Sequence, residues 1–240
     1  MKEKLKNIVA KWSLFEILFI ICSVIIVTIG FVVGSDRNVY SYIVSIVGVL
    51  SVIFLAKGWI VAPIVGIVYS IMYGILAVLS KYYGEAIVQF VVMLPMNILT
   101  ILAWLKHTDT ENESQVVVNK ISIKEYLIVF ATALFVAVGM YYLLKALDTK
   151  ELLVSTISLV SGTVAVYLSY RRSRYYAVAF LVADIVRVSL WCISIFSGSA
   201  MYLPTVLCFV MFIVSDIYGL VHWRKEENRQ SSKVIEKETM

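Results

Sequence analysis

Apolar residues run along this chain in eight long blocks, approximately 14–33, 40–56, 59–79, 86–104, 125–144, 152–169, 176–196 and 201–222, with most polar residues in the short gaps between them. A hydrocarbon core about 30 Å thick needs roughly 20 helical residues at about 1.5 Å each, and most blocks reach that length. Blocks 40–56 and 152–169 fall slightly short, which predicts helices near the bundle axis or locally thin ends. Composition agrees, with 61% hydrophobic and only 15% charged residues in 240. Such a balance lies far from that of soluble domains. The pattern predicts an all-α polytopic membrane protein of about eight transmembrane helices.

The first block follows Lys2, Lys4, Lys6 and Lys11, but it is long enough to span, and Gly34-Ser35-Asp36 lacks a small-x-small cleavage pattern. It is therefore expected to stay as a membrane span. Lys and Arg concentrate in short cytoplasmic segments, so their positions orient the chain. With the N-terminus inside, sixteen cations fall on the inner side, among them Lys57, Lys106, Lys120, Lys124, Arg171, Arg172, Arg174, Arg224, Lys225, Arg229, Lys233 and Lys237. Only Arg37, Lys81, Lys145 and Lys150 fall outside. Both termini are expected in the cytoplasm. The net charge of +5 is thus a topology signal, and no nucleic-acid partner is needed to explain it.

One connection is long and polar, His107 to Ser122, and it separates two triplets of blocks. The fourth block ends in Asn97 to Lys106 and the eighth in Asp216 to Lys225; in both, an amide or carboxylate precedes a Trp by seven residues, and a basic residue closes the helix. Three spans invert orientation, and the single span 125–144 restores it, so the two triplets can lie parallel. Such an arrangement is expected of a parallel-repeat transporter. The expected division is 1–39, an N-terminal segment and extra helix; 40–106, a first three-helix repeat; 107–150, a cytoplasmic linker and linker helix; 151–223, a second repeat; and 224–240, a solvated cytoplasmic tail.

Ionisable groups deep in a membrane are costly unless they face a cavity or a partner. Asp184 and Arg187 lie mid-block and three residues apart, hence on one helix face. They read either as a neutralising pair or as a site in which Asp184 accepts from a ligand and Arg187 orients it. Asp216 and Asn97 hold related places in the eighth and fourth blocks, and Gln89 sits two turns before Asn97. These amides can bridge helices or read a ligand. Glu16 is expected to snorkel to the headgroups. Tyr69 and Tyr73, four residues apart, face one direction; with Trp191, Tyr202, Tyr218, Trp104 and Trp223 they are available to line a cavity or an interface belt. Pro95 and Pro204 are expected to interrupt the fourth and eighth helices. Cys22, Cys192 and Cys208 read as buried packing residues, and His107 and His222 have no clustered ligands, so no metal or other cofactor is expected. No His-Glu-x-x-His, Gly-x-Ser-x-Gly or Walker loop occurs, so the chain is not expected to be an enzyme.

Several of these stretches together resemble the PnuC family of vitamin transporters. They are Gly66-Ile67-Val68-Tyr69, Tyr82 to Gln89, Asn97 with Trp104, Val182-Ala183-Asp184-Ile185-Val186 and Ser197 to Tyr202, and the resemblance covers about residues 40–223. It implies a SWEET-like fold, a substrate such as nicotinamide riboside, and net uptake driven by intracellular phosphorylation. The departures are local. Ile101 stands where the family has the first Trp of its Trp-x-x-Trp ending. The second such pair falls on Ala177 and Phe180, Asp184 replaces an Asn, and Arg187 is an added charge. The separation of Gln89 from Asn97 is one residue longer, with Pro95 inside it.

The expectation is a facilitated-diffusion transporter with alternating access in a bacterial cytoplasmic membrane, taking up a small water-soluble vitamin or nucleoside, foremost nicotinamide riboside. Thiamine, riboflavin or a deoxynucleoside are the alternatives, and a non-transporting receptor or assembly factor is the rival from another class. The expected substrate contacts are Gln89, Asn97, Asp184, Arg187, Tyr69, Tyr73, Phe180, Trp191 and Asp216. Its partners would be the substrate and the lipid bilayer, with a homo-oligomer left open.

Overall fold

A bilayer cannot hydrogen-bond exposed backbone, so a segment that spans it without neighbouring strands must satisfy itself as a helix. The structure, a computed structural model, describes residues 12–34, 37–109, 112, 114–149, 151–198 and 200–238. Lys2, Lys4, Lys6, Lys11 and Lys150 of the charge pattern lie outside them. Among the described residues eight helices are long and apolar enough to cross a membrane. They are α1 (Leu14–Val33), α2 (Val39–Ala56), α3 (Val61–Leu79), α4 (Tyr83–Leu105), α5 (Ile123–Ala146), α6 (Leu152–Tyr170), α7 (Tyr176–Phe196) and α8 (Leu203–Glu238).

The faces sort by size and polarity. On α1, Phe19, Ser23, Val27 and Gly30 are buried, while Leu18, Ile21, Ile25 and Ile29 are exposed. Small and polar residues let helices approach closely, and large aliphatic ones meet lipid. Ser13 starts α1 with a capping box: its hydroxyl accepts from Glu16 N–H, and the Glu16 carboxylate accepts from Ser13 N–H at 2.7 Å. That carboxylate does not snorkel. It is 2% exposed, accepts from Lys57 Nζ at 2.6 Å and Tyr218 Oη at 2.7 Å, and so ties α1 to α2 and α8. The Lys57 ammonium also lies over the rings of Trp12 and Trp59. Cys208 is buried and donates to Ser45 O, but Cys22 is exposed on the outer face of α1, against expectation.

Within each triplet consecutive helices pack together, α2 on α3 on α4 and α6 on α7 on α8. Between triplets the packing is reciprocal, with α4 against α6 and α8 against α2. The connections match as well. After α2 the chain turns through Gly58 at φ +64°, and after α6 through Arg172 at φ +59°. In both turns the residue following donates back to a carbonyl five before it, Trp59 to Phe54 and Ser173 to Leu168. Trp104 of α4 donates its indole N–H to Ser169 O at the end of α6, at 3.1 Å. Trp223 of α8 donates to Leu55 O at the end of α2, at 3.2 Å. The two buried rings meet with centroids 5.9 Å apart, so they seal one end of the bundle and do not form an interface belt.

That end is the basic one. The 107–122 segment, expected as a plain polar linker, is stitched across it. Isolated bridges join Trp59 to Gln115 and Thr108 to Val116. α8 does not stop at the membrane: it continues as one helix to Glu238, where a solvated tail was expected. Its extension reaches the linker through Arg229 to Asp109, and Gln230 Nε2 to Val116 O at 3.3 Å. Glu227 takes Arg174 at 3.0 Å. The second expected break is also absent, because Pro204 is the second residue of α8, where a missing N–H costs nothing. α5 packs mainly on α6 and otherwise shows Leu127, Phe130, Leu134 and Phe135 outward.

Candidate functional site

The polar residues that the sequence places at membrane depth converge between the two triplets. A cavity of about 80 Å³ lies there, lined by all six helices of the triplets and by neither α1 nor α5. α3 supplies Gly66, Tyr69 and Ser70; α4 supplies Gln89, Asn97 and Thr100; α7 supplies Phe180, Asp184 and Arg187; α8 supplies Phe209, Phe212 and Asp216. α2 and α6 add Ser51 and Ser169. A larger groove of about 1000 Å³ between α5, α6 and α7 is lined mostly by apolar side chains and opens onto their exposed faces. Its surroundings fit lipid, not a polar solute.

Two local devices aim α4 at the cavity. Pro95 has no N–H for the carbonyl of Val91, and its ring crowds that carbonyl in a regular helix. The turn before it widens: Val88–Met93 is π-helical, and Leu94 N–H bonds Gln89 O, five residues back. Gln89 and Asn97 are eight residues apart, which at about 100° per residue would set them about 80° apart around an α-helix. A π turn takes up one extra residue. Both amides therefore face the cavity, and the added residue noted in the sequence is accommodated. Asn97 in turn lies over Gly66, where a Cβ would come within 3.0 Å of its Oδ1.

Charge is concentrated on one wall. Arg187 donates through Nη1 to Asp184 Oδ1 at 2.7 Å and through Nε to Glu85 Oε2 at 3.1 Å. Glu85 also accepts from Tyr73 Oη at 3.2 Å and from Ser158 Oγ. Tyr73 Oη in turn accepts from Trp191 Nε1 at 2.9 Å. Asp216 of α8 is buried in the wall of the same cavity. Glu85, Asp184, Asp216 and Arg187 are 0–5% exposed, so three carboxyl groups share one guanidinium out of water.

Most of the expected contacts are brought together: Gln89, Asn97, Asp184, Arg187, Tyr69, Phe180 and Asp216 line the cavity. Tyr73 and Trp191 do not. They stand behind it, fully buried, as the far end of the hydrogen-bond chain that fixes Glu85. Of the remaining aromatics, Tyr202 packs on Trp191, and Tyr218 points to Glu16 near the basic end. Glu85 is the functional candidate that sequence reasoning missed. The apolar block begins at 86, so a carboxylate at 85 reads as interfacial; the helix actually starts at Tyr83 and turns Glu85 inward.

Among the described residues four buried side-chain polar atoms lack a hydrogen-bond partner: Gln89 Oε1, Arg187 Nη2, Asp216 Oδ2 and Thr149 Oγ1. The first three belong to cavity walls. A buried unsatisfied group costs about 1–3 kcal/mol, so three in one place make this cavity the candidate site for a polar molecule. Two acceptors, one donor and the flanking rings of Tyr69, Phe180 and Phe212 suit a small solute with an aromatic part and hydroxyl groups. No group of three or more His, Cys, Asp or Glu among the described residues has a geometry that could hold a metal ion.

A family model described as nicotinamide mononucleotide transporter matches residues 38–225, which takes in α2 to the transmembrane part of α8. The chain is 26% identical over 230 residues to the nicotinamide riboside transporter PnuC of Neisseria mucosa, covering 92% of this chain and 85% of that one. The fold is similar to a crystal structure of the vitamin B3 transporter PnuC, with a TM-score of 0.80 and 24% identity over 91% of this chain and 94% of the other.

Proposed function

The chain belongs to the nicotinamide mononucleotide transporter family, the PnuC-like membrane transporters of small vitamins and nucleosides, and we propose that its own substrate is nicotinamide riboside. The observation that carries this reading is the convergence of Gln89 Oε1, Arg187 Nη2 and Asp216 Oδ2 on one acid-rich cavity. Nicotinamide riboside joins a pyridinium cation to a ribose. The ring would lie against Tyr69, Phe180 and Phe212, gaining a cation–π contribution of about 0.5–2 kcal/mol. The amide would meet Gln89 or Asn97, and the ribose hydroxyls would donate to Asp216 and Asp184. The mononucleotide adds a phosphate, which three carboxyls against one already-paired guanidinium disfavour. Thiamine is the second reading, because it is also a heteroaromatic cation and Ala177 lacks the ring that the family carries there.

A ligand pocket usually measures about 300–1,000 Å³, so the roughly 80 Å³ cavity must open to admit such a solute. In this proposal the triplets, taken as the repeats 40–106 and 151–223, rock about the cavity and expose it alternately to each side. The basic end faces the cytoplasm of a bacterial inner membrane by the positive-inside rule. Movement is facilitated diffusion, drawn inward as the cell phosphorylates the riboside.

Thermal unfolding of the detergent-purified protein tests the assignment. Nicotinamide riboside, thiamine, riboflavin, neutral nucleosides and nicotinamide mononucleotide are compared. A ligand at about 100 times its Kd adds about 2.7 kcal/mol to the folded state. Stabilisation by the riboside and not by the mononucleotide is expected. Stabilisation by thiamine alone would reassign the substrate, and no response to any of them in folded protein would contradict the reading.

A further inference from the structure

The groove between α5, α6 and α7 changes character along its length. α5 lines it from Ile123 to Ala137, α6 from Thr156 to Leu168 and α7 from Val178 to Val182. The fourteen steps from Ile123 to Ala137 rise about 21 Å at about 1.5 Å each, a little more than the roughly 15 Å of hydrocarbon in one leaflet. Most side chains along it are apolar, and the hydroxyls on α6 are satisfied within their own helix. Thr156 donates to Leu152 O and Ser161 to Ile157 O, each at 2.8 Å.

At the basic end the lining becomes polar, with Asn119, Lys120, Ser173, Arg174 and Glu227. The hydroxyls of Ser173 and Tyr126 bond each other at 2.7 Å, and Asn119 Nδ2 donates to Arg171 O at 3.2 Å. Arg174 donates through Nη1 to Glu227 Oε2 at 3.0 Å and through Nη2 to Tyr175 Oη at 2.8 Å. Lys120 Nζ stands 3.6 Å from Glu227 Oε1, too far for a hydrogen bond, and its side chain is 70% exposed. Two cations therefore share one carboxylate, which leaves a net positive charge where the apolar groove ends.

We propose that this groove holds one anionic phospholipid of the leaflet at the basic end, with its phosphate on Lys120 and Arg174 and its chains along α5 and α7. Basic pockets between transmembrane helices receive anionic headgroups at this level of the membrane. An apolar recess about one leaflet long that ends in positive charge matches both parts of such a lipid. A free anion matches the charged end alone, and a neutral lipid the apolar part alone. A second copy of the chain fits less well, because copies in one membrane share an orientation and would set their own cations beside these. α5 belongs to neither triplet and packs mainly on α6, so the lipid also fills the gap on its α7 side. Val178 and Val182 of α7 face this groove, whereas Phe180 and Asp184 face the central cavity. The lipid site is thus separate from the cavity and does not depend on which solute the cavity takes.

Thermal unfolding of the delipidated full-length protein in detergent tests this, with phosphatidylglycerol, phosphatidylcholine of the same chains, or inorganic phosphate added. Native mass spectrometry counts the lipid retained. Phosphatidylglycerol should raise the midpoint more than phosphatidylcholine, and one molecule should stay bound. Lys120→Gln combined with Arg174→Gln should weaken its binding at least about tenfold, since each cation near the surface contributes about fivefold. Glu227→Gln removes the competing carboxylate and should strengthen it. Ala137→Trp keeps every charge but fills the groove, and should abolish it. Because Arg174 and Glu227 also tie α8 to the start of α7, each variant is scored by the shift that lipid produces, not by its own midpoint. Equal shifts from the two lipids, or the same shift from inorganic phosphate, would overturn the proposal. So would a phosphatidylglycerol shift undiminished in either the double variant or Ala137→Trp, or one not enlarged in Glu227→Gln. A stable dimer that dissociates in Ala137→Trp would give the groove to a second copy and overturn it as well.

Discussion

Glu85 shows what a single buried charge does here. It is fully buried, and its carboxylate joins Arg187, Tyr73 and Ser158, so it positions the guanidinium that faces the cavity. Removing one partner of a buried ion pair leaves the other uncompensated, at a cost of about 3–5 kcal/mol. Arg187→Met, which leaves both Glu85 and Asp184 without their cation, should therefore lower the thermal midpoint strongly, and Glu85→Gln, which leaves Arg187 paired with Asp184, should lower it less, as thermal unfolding would record. Asp184, Arg187 and Asp216 were legible in the sequence because charge in the middle of an apolar block is costly without a role. Glu85 was not, since a carboxylate one residue before a block looks solvated until the helix start is known. Glu16 failed for a related reason: its partners, Lys57 and Tyr218, are about 40 and 200 residues away, and only folding brings them near.

Among the elements, α4 departs most from what periodicity implies. Pro95 was expected to bend it, but the sequence does not say that the strain is taken up by a π turn ending at Met93. Replacing Pro95 by Ala supplies an N–H for Val91 O and lets the turn close to an α-helix. Gln89 would then rotate away from Asn97. We expect Pro95→Ala to fold with unchanged or raised thermal stability, yet to bind nicotinamide riboside at least about tenfold more weakly, a loss of about 1.4 kcal/mol. Equal affinity in the variant would show that the π turn has no part in placing Gln89. The eight spans themselves were readable from block length, because lipid leaves few other options. The length of α8 was not: residues after 223 are too polar to resemble a span, and their helix is held by contacts with the linker, such as Arg229 with Asp109.

At the scale of the whole molecule, two triplets exchange contacts reciprocally and each lends a tryptophan to the other. The matched Trp positions were visible in the sequence, but the carbonyls they reach, Ser169 and Leu55, were not. Those contacts close the basic end, while Ser41 with Thr205, at 2.8 Å, and Ser80 with Tyr202, at 2.9 Å, hold helices together toward the other. The cavity between is small, polar and short of hydrogen-bond partners. Uptake of labelled nicotinamide riboside into proteoliposomes tests this account most directly. Saturable uptake is predicted, competed by excess unlabelled riboside and not by the mononucleotide. Uptake no greater than in protein-free liposomes, or equal competition by the mononucleotide, would contradict it.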